Sequence, residues 1–163
     1  MLNAANRVAL GTAALALWLG LAPPASAEDV AFEPGSLIIP MDLAYQDLGM
    51  LEAFGLVHAL LRVDVPVSWV IAPDKSLGDI DFGAEAVDLQ TGDAVVHDYR
   101  GGPFVIAAEH AAGAVRMIEL WHEDHVTTVH QATTSFTGFV KKSLVAAPSI
   151  AIFADGNEKV AFG

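Results

Sequence analysis

Six histidines and 20 acidic residues are the groups in this sequence best suited to hold a metal ion or move a proton, and no cysteine accompanies them. Their one local concentration is Trp121-His122-Glu123-Asp124-His125, with His130 beyond it. His122 and His125 stand three residues apart, which on a helix would put both rings on one face and makes them the candidate metal pair. The order is neither H-E-x-x-H nor H-x-x-E-H, so no zinc-protease signature is met, and a solvated acidic-histidine loop is the plain alternative. Without cysteine there is no thiolate nucleophile, no thiolate metal ligand and no disulfide. Ser135, Ser143 and Ser149 lack the G-x-S-x-G context of a nucleophile elbow. Neither G-x-x-x-x-G-K-[ST] nor G-x-G-x-x-G occurs, so no nucleotide-phosphate loop is encoded.

Other polar residues gain interest from position. Asp42, Asp74, Glu109-His110, His130 and Asp155-Gly156-Asn157 each follow a short apolar run. If those runs are parallel strands, their carboxyl ends form the crevice where such sheets bind ligands. Asp42, Asp74, His130, Asp155 and Asn157 are therefore the candidate ligand-binding residues. Aspartate and asparagine are also what ordinary turns and helix N-caps require. Gly156 after an apolar run could bring backbone N–H groups onto an anion, although a plain turn is the favoured reading. Arg100-Gly101-Gly102-Pro103 precedes its strand and reads as a structural turn.

The elements that must position these residues follow from apolar periodicity. Residues 36–42, 66–72, 104–108, 126–130 and 149–154 are short apolar or β-branched runs, read as strands. Residues 48–61, 109–121 and 136–144 are read as helices, although Gly49 and Gly55 weaken the first. Residues 75–98 are less regular and fit a small inserted hairpin with a turn at Gln90-Thr91-Gly92-Asp93. Trp69, Phe54, Phe104 and Phe153 are assigned to the core. Strands that are apolar throughout should be covered on both faces. The sequence therefore predicts an α/β fold, a doubly wound, mostly parallel five-stranded sheet with a small inserted hairpin. A closing helix after Asn157 has barely two turns before Gly163, so it is either vestigial or the chain is a fragment of a longer protein; the reading leans to a fragment.

Ahead of these elements stands a leader. Residues 1–27 run from a weakly basic start with Arg7, through the apolar Val8–Leu21, to Pro23-Pro24 and the small-x-small site Ala25-Ser26-Ala27. This is the pattern of a cleaved secretory signal peptide, and the apolar run is shorter than the roughly 20 residues a permanent span needs. The expected product begins at Glu28 as a single domain over residues 28–163, exported to the periplasm or secreted, with no membrane span after cleavage. The net charge of −12 repels phosphate backbones and argues against nucleic-acid binding.

Ser36-Leu37-Ile38-Ile39-Pro40-Met41-Asp42, Phe54-Gly55-Leu56, Pro66-Val67, Arg100-Gly101-Gly102-Pro103-Phe104 and Asp155-Gly156-Asn157-Glu158 together resemble segments of exported bacterial proteins. The leading domain of those proteins is similar to the class I glutamine amidotransferase-like sheet, a flavodoxin-like arrangement. The resemblance covers essentially all of the chain after the leader and implies the fold. It supplies no catalytic residue, because that class uses a cysteine nucleophile and this chain has none. The expected function is a non-catalytic binding or interaction module for a small molecule or protein partner, without a cofactor, at the carboxyl edge of the sheet. The alternative is a hydrolase or metal-dependent enzyme using His130 and nearby acids at that edge.

Overall fold

A computed structural model of the chain describes residues 27–46 and 50–148. Eight strands and two helices follow in the order β1 (Glu28–Phe32), β2 (Leu37–Ile39), α1 (Met50–Arg62), β3 (Val67–Val70), β4 (Ile80–Asp88), β5 (Ala94–Arg100), β6 (Phe104–Ile106), α2 (Ala108–Trp121), β7 (His130–Ala132) and β8 (Phe136–Leu144). The strands form one sheet in the order β1-β8-β3-β6-β2-β7-β4-β5, and every pairing in it is antiparallel. Its edges are β1 and β5.

This overturns the doubly wound parallel α/β sheet and, with it, the amidotransferase-like, flavodoxin-like or Rossmann-like identity that the sequence suggested. The molecule is a curled antiparallel half-barrel carrying two helices. The premise of burial on both faces holds for the central strands, since all three residues of β2 and of β6 are buried. The second face, however, is covered by the sheet itself. Leu37, Ile39, Val67, Phe104 and Ile106 pack outward against Leu56, Leu60, Ala114 and Ile118 of the helices. Ile38, Val70 and Val105 face inward and join Phe82, Tyr99, Phe136 and Val140. Four strands lie between β8 and β4 in the sheet, yet Phe136 stacks on Phe82 at 4.7 Å across the concave side. Phe32 and Tyr99 extend the stack at 5.1 and 5.0 Å. Offset rings at such spacing add about 0.5–1.5 kcal/mol per pair beyond their buried area.

A second correction concerns residues 136–144, read from sequence as a short helix. They form β8, the longest partner of β1 and β3. Phe136, Gly138 and Val140 alternate inward while Thr137 points out, the period of two that a strand requires, and a register shift opposite Trp69/Val70 then sets Lys142 against Trp69. Gly138 leaves room for the concave side to close: a Cβ there would sit 2.7 Å from Val70 Cγ1. β4 and β5 do form a hairpin, joined through Gln90–Asp93, but not the small insertion beside the main sheet that was expected: β4 also pairs with β7, so the two strands make one end of the single sheet. Residues 126–129 run as irregular chain into β7. Residues 28–32, ahead of the first strand expected from sequence, form the edge strand β1. The strand expected at 149–154 and nearly all of the leader lie outside the described residues. Among the described residues, no helix is long and apolar enough to cross a membrane.

The Arg100-Gly101-Gly102-Pro103 turn joins β5 to β6 with both glycines in the left-handed region, at φ +78° and +75°. A side chain at Gly102 would strike Trp69 Nε1 at 2.7 Å. The Gly102 N–H donates to Asp81 Oδ2, and the Ala72 N–H donates to Asp81 Oδ1. Lys75 Nζ closes on the same carboxylate at 2.6 Å. This fully buried Asp81 carboxylate has partners on both oxygens, so it acts as a pin for the turn.

Candidate functional site

Asp42 and His130, both picked from sequence, belong to one polar cluster on the loop after β2 and the inward faces of β5 and β7. The loop begins with an Asx turn: Asp42 Oδ1 accepts the Ala44 N–H at 3.0 Å. Its backbone carbonyl accepts the N–H groups of Tyr45 and Gln46, which turns those side chains inward. Asp42 Oδ2 lies 3.0 Å from His97 Nε2. Tyr45 meets the rings of His97 and His130 edge-on at 4.8 and 4.5 Å. The Tyr99 hydroxyl lies 2.7 Å from His130 Nδ1. His130 Nε2 has no hydrogen-bond partner and stands 3.8 Å from Asp88 Oδ2. Asp88 Oδ1 is already occupied by the N–H groups of Gln90 and Thr91.

The electrostatics keep this cluster neutral at its centre. Burial lowers the His130 pKa to about 4, against a smaller opposing pull from Asp88. Burial also pushes the Tyr99 phenol up, helped by Tyr45 and Asp42. With the neutral phenol donating to Nδ1, the ring proton of His130 sits on Nε2 and faces Asp88. His130 is fully buried. A general base must come within about 3 Å of the proton it takes, and in this structure the ring is closed off from solvent. Among the described residues, no serine or threonine hydroxyl bonds either His97 or His130.

The remaining sequence candidates are not gathered with these two. Asp74 is exposed in the loop between β3 and β4, with a left-handed φ of 54°, beside a separate shallow hollow that Lys75 and Lys141 also line. His122 Nε2 lies 2.7 Å from the Thr127 carbonyl oxygen, and His125 Nδ1 lies 3.2 Å from that of Trp121. The His125 ring also stacks on Trp121 at 3.8 Å. Both rings thus engage their own loop, and among the described residues no group of three or more His, Asp or Glu side chains is placed to hold a metal ion. Asp155 and Asn157 lie outside the described residues. His97, Tyr45 and Tyr99 were missed from sequence. The signal that could have found two of them is the alternation Val95, His97, Tyr99 along one face of β5.

A different feature offers a ligand real access. Phe54, Val57, His58 and Leu61 recur on α1 at the spacing of one helix face and form one wall of a groove of about 470 Å³. Trp69, Phe104 and Leu144, from adjacent strands, form its floor, and Ala146 and Pro148 its far rim. The walls are almost wholly apolar, with His58 the polar exception. Trp69 and Phe54 were assigned to the core, yet they stand 37% and 51% exposed at the groove. Phe104 is buried between them, edge-on to Phe54 at 5.7 Å and stacked with Trp69 at 6.2 Å. The Trp69 indole N–H donates to the Gly102 carbonyl at 3.0 Å. That bond satisfies its polar atom and leaves its apolar ring toward the groove.

No family model matches the chain, and neither the curated proteins nor the solved structures contain a match to it.

Proposed function

We propose that this chain is an exported, non-catalytic binding module that takes an apolar ligand in the groove between α1 and the β3–β6 floor. The observation that carries the reading is the groove itself: about 470 Å³, within the range of small-molecule sites, with exposed aromatic rings at its lip. Large apolar side chains left in water forgo roughly 1.5–3 kcal/mol each, so a ligand that covers Phe54 and Trp69 recovers part of that stabilisation. The carboxyl-edge site of a parallel sheet has no counterpart here, because neighbouring antiparallel strands end at opposite edges. The hydrolase alternative is disfavoured by the burial of His130. Export rests on the leader over residues 1–27.

The test uses N-phenyl-1-naphthylamine, an uncharged dye that brightens in apolar sites. The purified protein should bind it saturably, with a change in tryptophan emission as Trp69 is covered. Phe54→Asp, at a half-exposed position, should weaken binding at least tenfold while leaving the thermal melt within a few degrees. Absence of saturable binding, or equal binding by the variant, would remove the groove from the proposal.

A further inference from the structure

We infer that the occupant of the groove is a single-chain anionic amphiphile of the alkyl carboxylate class, its tail on the Trp69–Phe104 floor and its head group at His58, Arg62 and Lys142. The inference rests on the groove being a ligand site and adds the chemistry of its ligand.

The argument is one of charge placement. The chain carries net charge −12 and only eight Lys and Arg residues, so cations are scarce on its surface. Two of them flank this groove. Arg62 is exposed in the last turn of α1, four residues beyond the lining residue His58 and therefore beside it on the helix surface. Lys142 is the antiparallel partner of Trp69, and paired residues project from the same side of a sheet. It also stands two residues before the lining residue Leu144, on that same side of β8. Its neighbour Lys141, left without a partner at the register shift opposite Trp69/Val70, lines the hollow beside Asp74 instead. Among the described residues, neither Arg62 nor Lys142 forms an ion pair, and the His58 ring makes no hydrogen bond.

The nearby acids form no ion pair with these cations among the described residues. Glu52, in the first turn, accepts the N–H of Val126. Asp64 sits in the turn beyond the helix. An apolar trough with cations on its helix and strand margins matches a long tail ending in an oxyanion. A molecule this acidic would otherwise repel such a ligand. Arginine and lysine differ in what they offer: a planar fork that can grip both carboxylate oxygens and a compact point charge.

The experiment is displacement of N-phenyl-1-naphthylamine from the purified protein at pH 8 and low salt. The competitors share a twelve-carbon chain: dodecanoate, dodecanol and dodecyltrimethylammonium, each below its aggregation concentration. Dodecanoate should displace the dye at least tenfold more effectively than dodecanol, and the ammonium should be the weakest. Within a series of carboxylates, each added methylene should strengthen displacement about fourfold until the groove is filled. Charge reversal in Arg62→Glu/Lys142→Glu should cost dodecanoate at least tenfold, improve the ammonium and leave dodecanol unchanged.

Equal displacement by dodecanol and dodecanoate, or a loss that falls on both alike in the charge-reversed chain, overturns the head-group assignment while the groove reading stands. Failure of the dye and of all three competitors overturns both. So does loss of dye binding as the protein concentration rises and the chain dimerises, since a second copy would then be seated in the groove.

Discussion

His130 couples the fold to proton concentration. Its ring is neutral in the folded chain, with a pKa lowered to about 4 by burial, whereas the unfolded chain titrates near 6.5. Stability should therefore be fully present above pH 6.5 and fall as the pH drops toward 4, because the unfolded state gains a proton that the folded state refuses. The window corresponds to about 3 kcal/mol. Melting temperatures at pH 7.5 and 4.5 check this when compared with His130→Gln. That variant keeps an acceptor for Tyr99 and should lose this part of the slope, and an unchanged slope would point to another group. Sequence reading reached His130 and Asp42 through the rule that polar residues after apolar runs line the crevice of a parallel sheet. The structure places both in one cluster for another reason: a loop with an Asx turn folds over the inner face and sets Asp42 against His97. His97 lay inside the hairpin read as a whole over residues 75–98 and Tyr99 just past its end, so their alternation along one face of β5 was not used.

At the level of elements, β8 carries the largest difference between sequence and structure. From sequence, residues 136–144 read as a short helix, with Lys141 and Lys142 near its end as cations suited to a helix dipole, but in so short a run periodicity alone does not separate helix from strand. What decides in favour of a strand is tertiary. Val67–Val70 offers an unpaired flank on one side and β1 offers another, and only an extended chain can satisfy both. Gly138→Ala tests how tightly that strand is held. The added methyl would lie 2.7 Å from Val70 Cγ1, with Phe82 at 3.5 Å, so β8 or Val70 must shift. A loss of about 1–3 kcal/mol in urea unfolding is expected, and a neutral result would mean that the concave side is looser than its stacked rings imply. Helices α1 and α2 were legible because their apolar spacing faces one core. The exposure of Phe54 was not, because periodicity shows which face is apolar and not whether anything covers all of it.

Taken as a whole, the molecule balances a fully packed double core against a strongly acidic surface. Net charge of −12 on a chain of this size produces self-repulsion that dissolved salt screens, with a decay length of about 8 Å at physiological ionic strength. Raising sodium chloride from 10 to about 300 mM at pH 8 should lift the melting temperature by about 3 °C. A fall would show that specific pairs such as Lys75–Asp81 outweigh the general repulsion. The fold class was misjudged at this scale because short, wholly apolar strands report only that both faces are buried. A second layer of helices and a sheet curled onto its own aromatic stack satisfy that requirement equally well, and the choice between them lies in strand pairing between distant segments.

Strand order carries one more consequence, for the time course of folding. β1 is the first strand and pairs with β8 alone, the last described one, so Glu28 must find Val140. That contact closes more than a hundred residues of chain, which places it among the slow, non-local events of folding. A ribosome or a translocation pore delivering the chain from its amino end releases β1 long before its partner, and the strand must wait as a bare edge. The same wait keeps the polypeptide threadable until β8 has been delivered, a property that would suit the export proposed from the leader over residues 1–27.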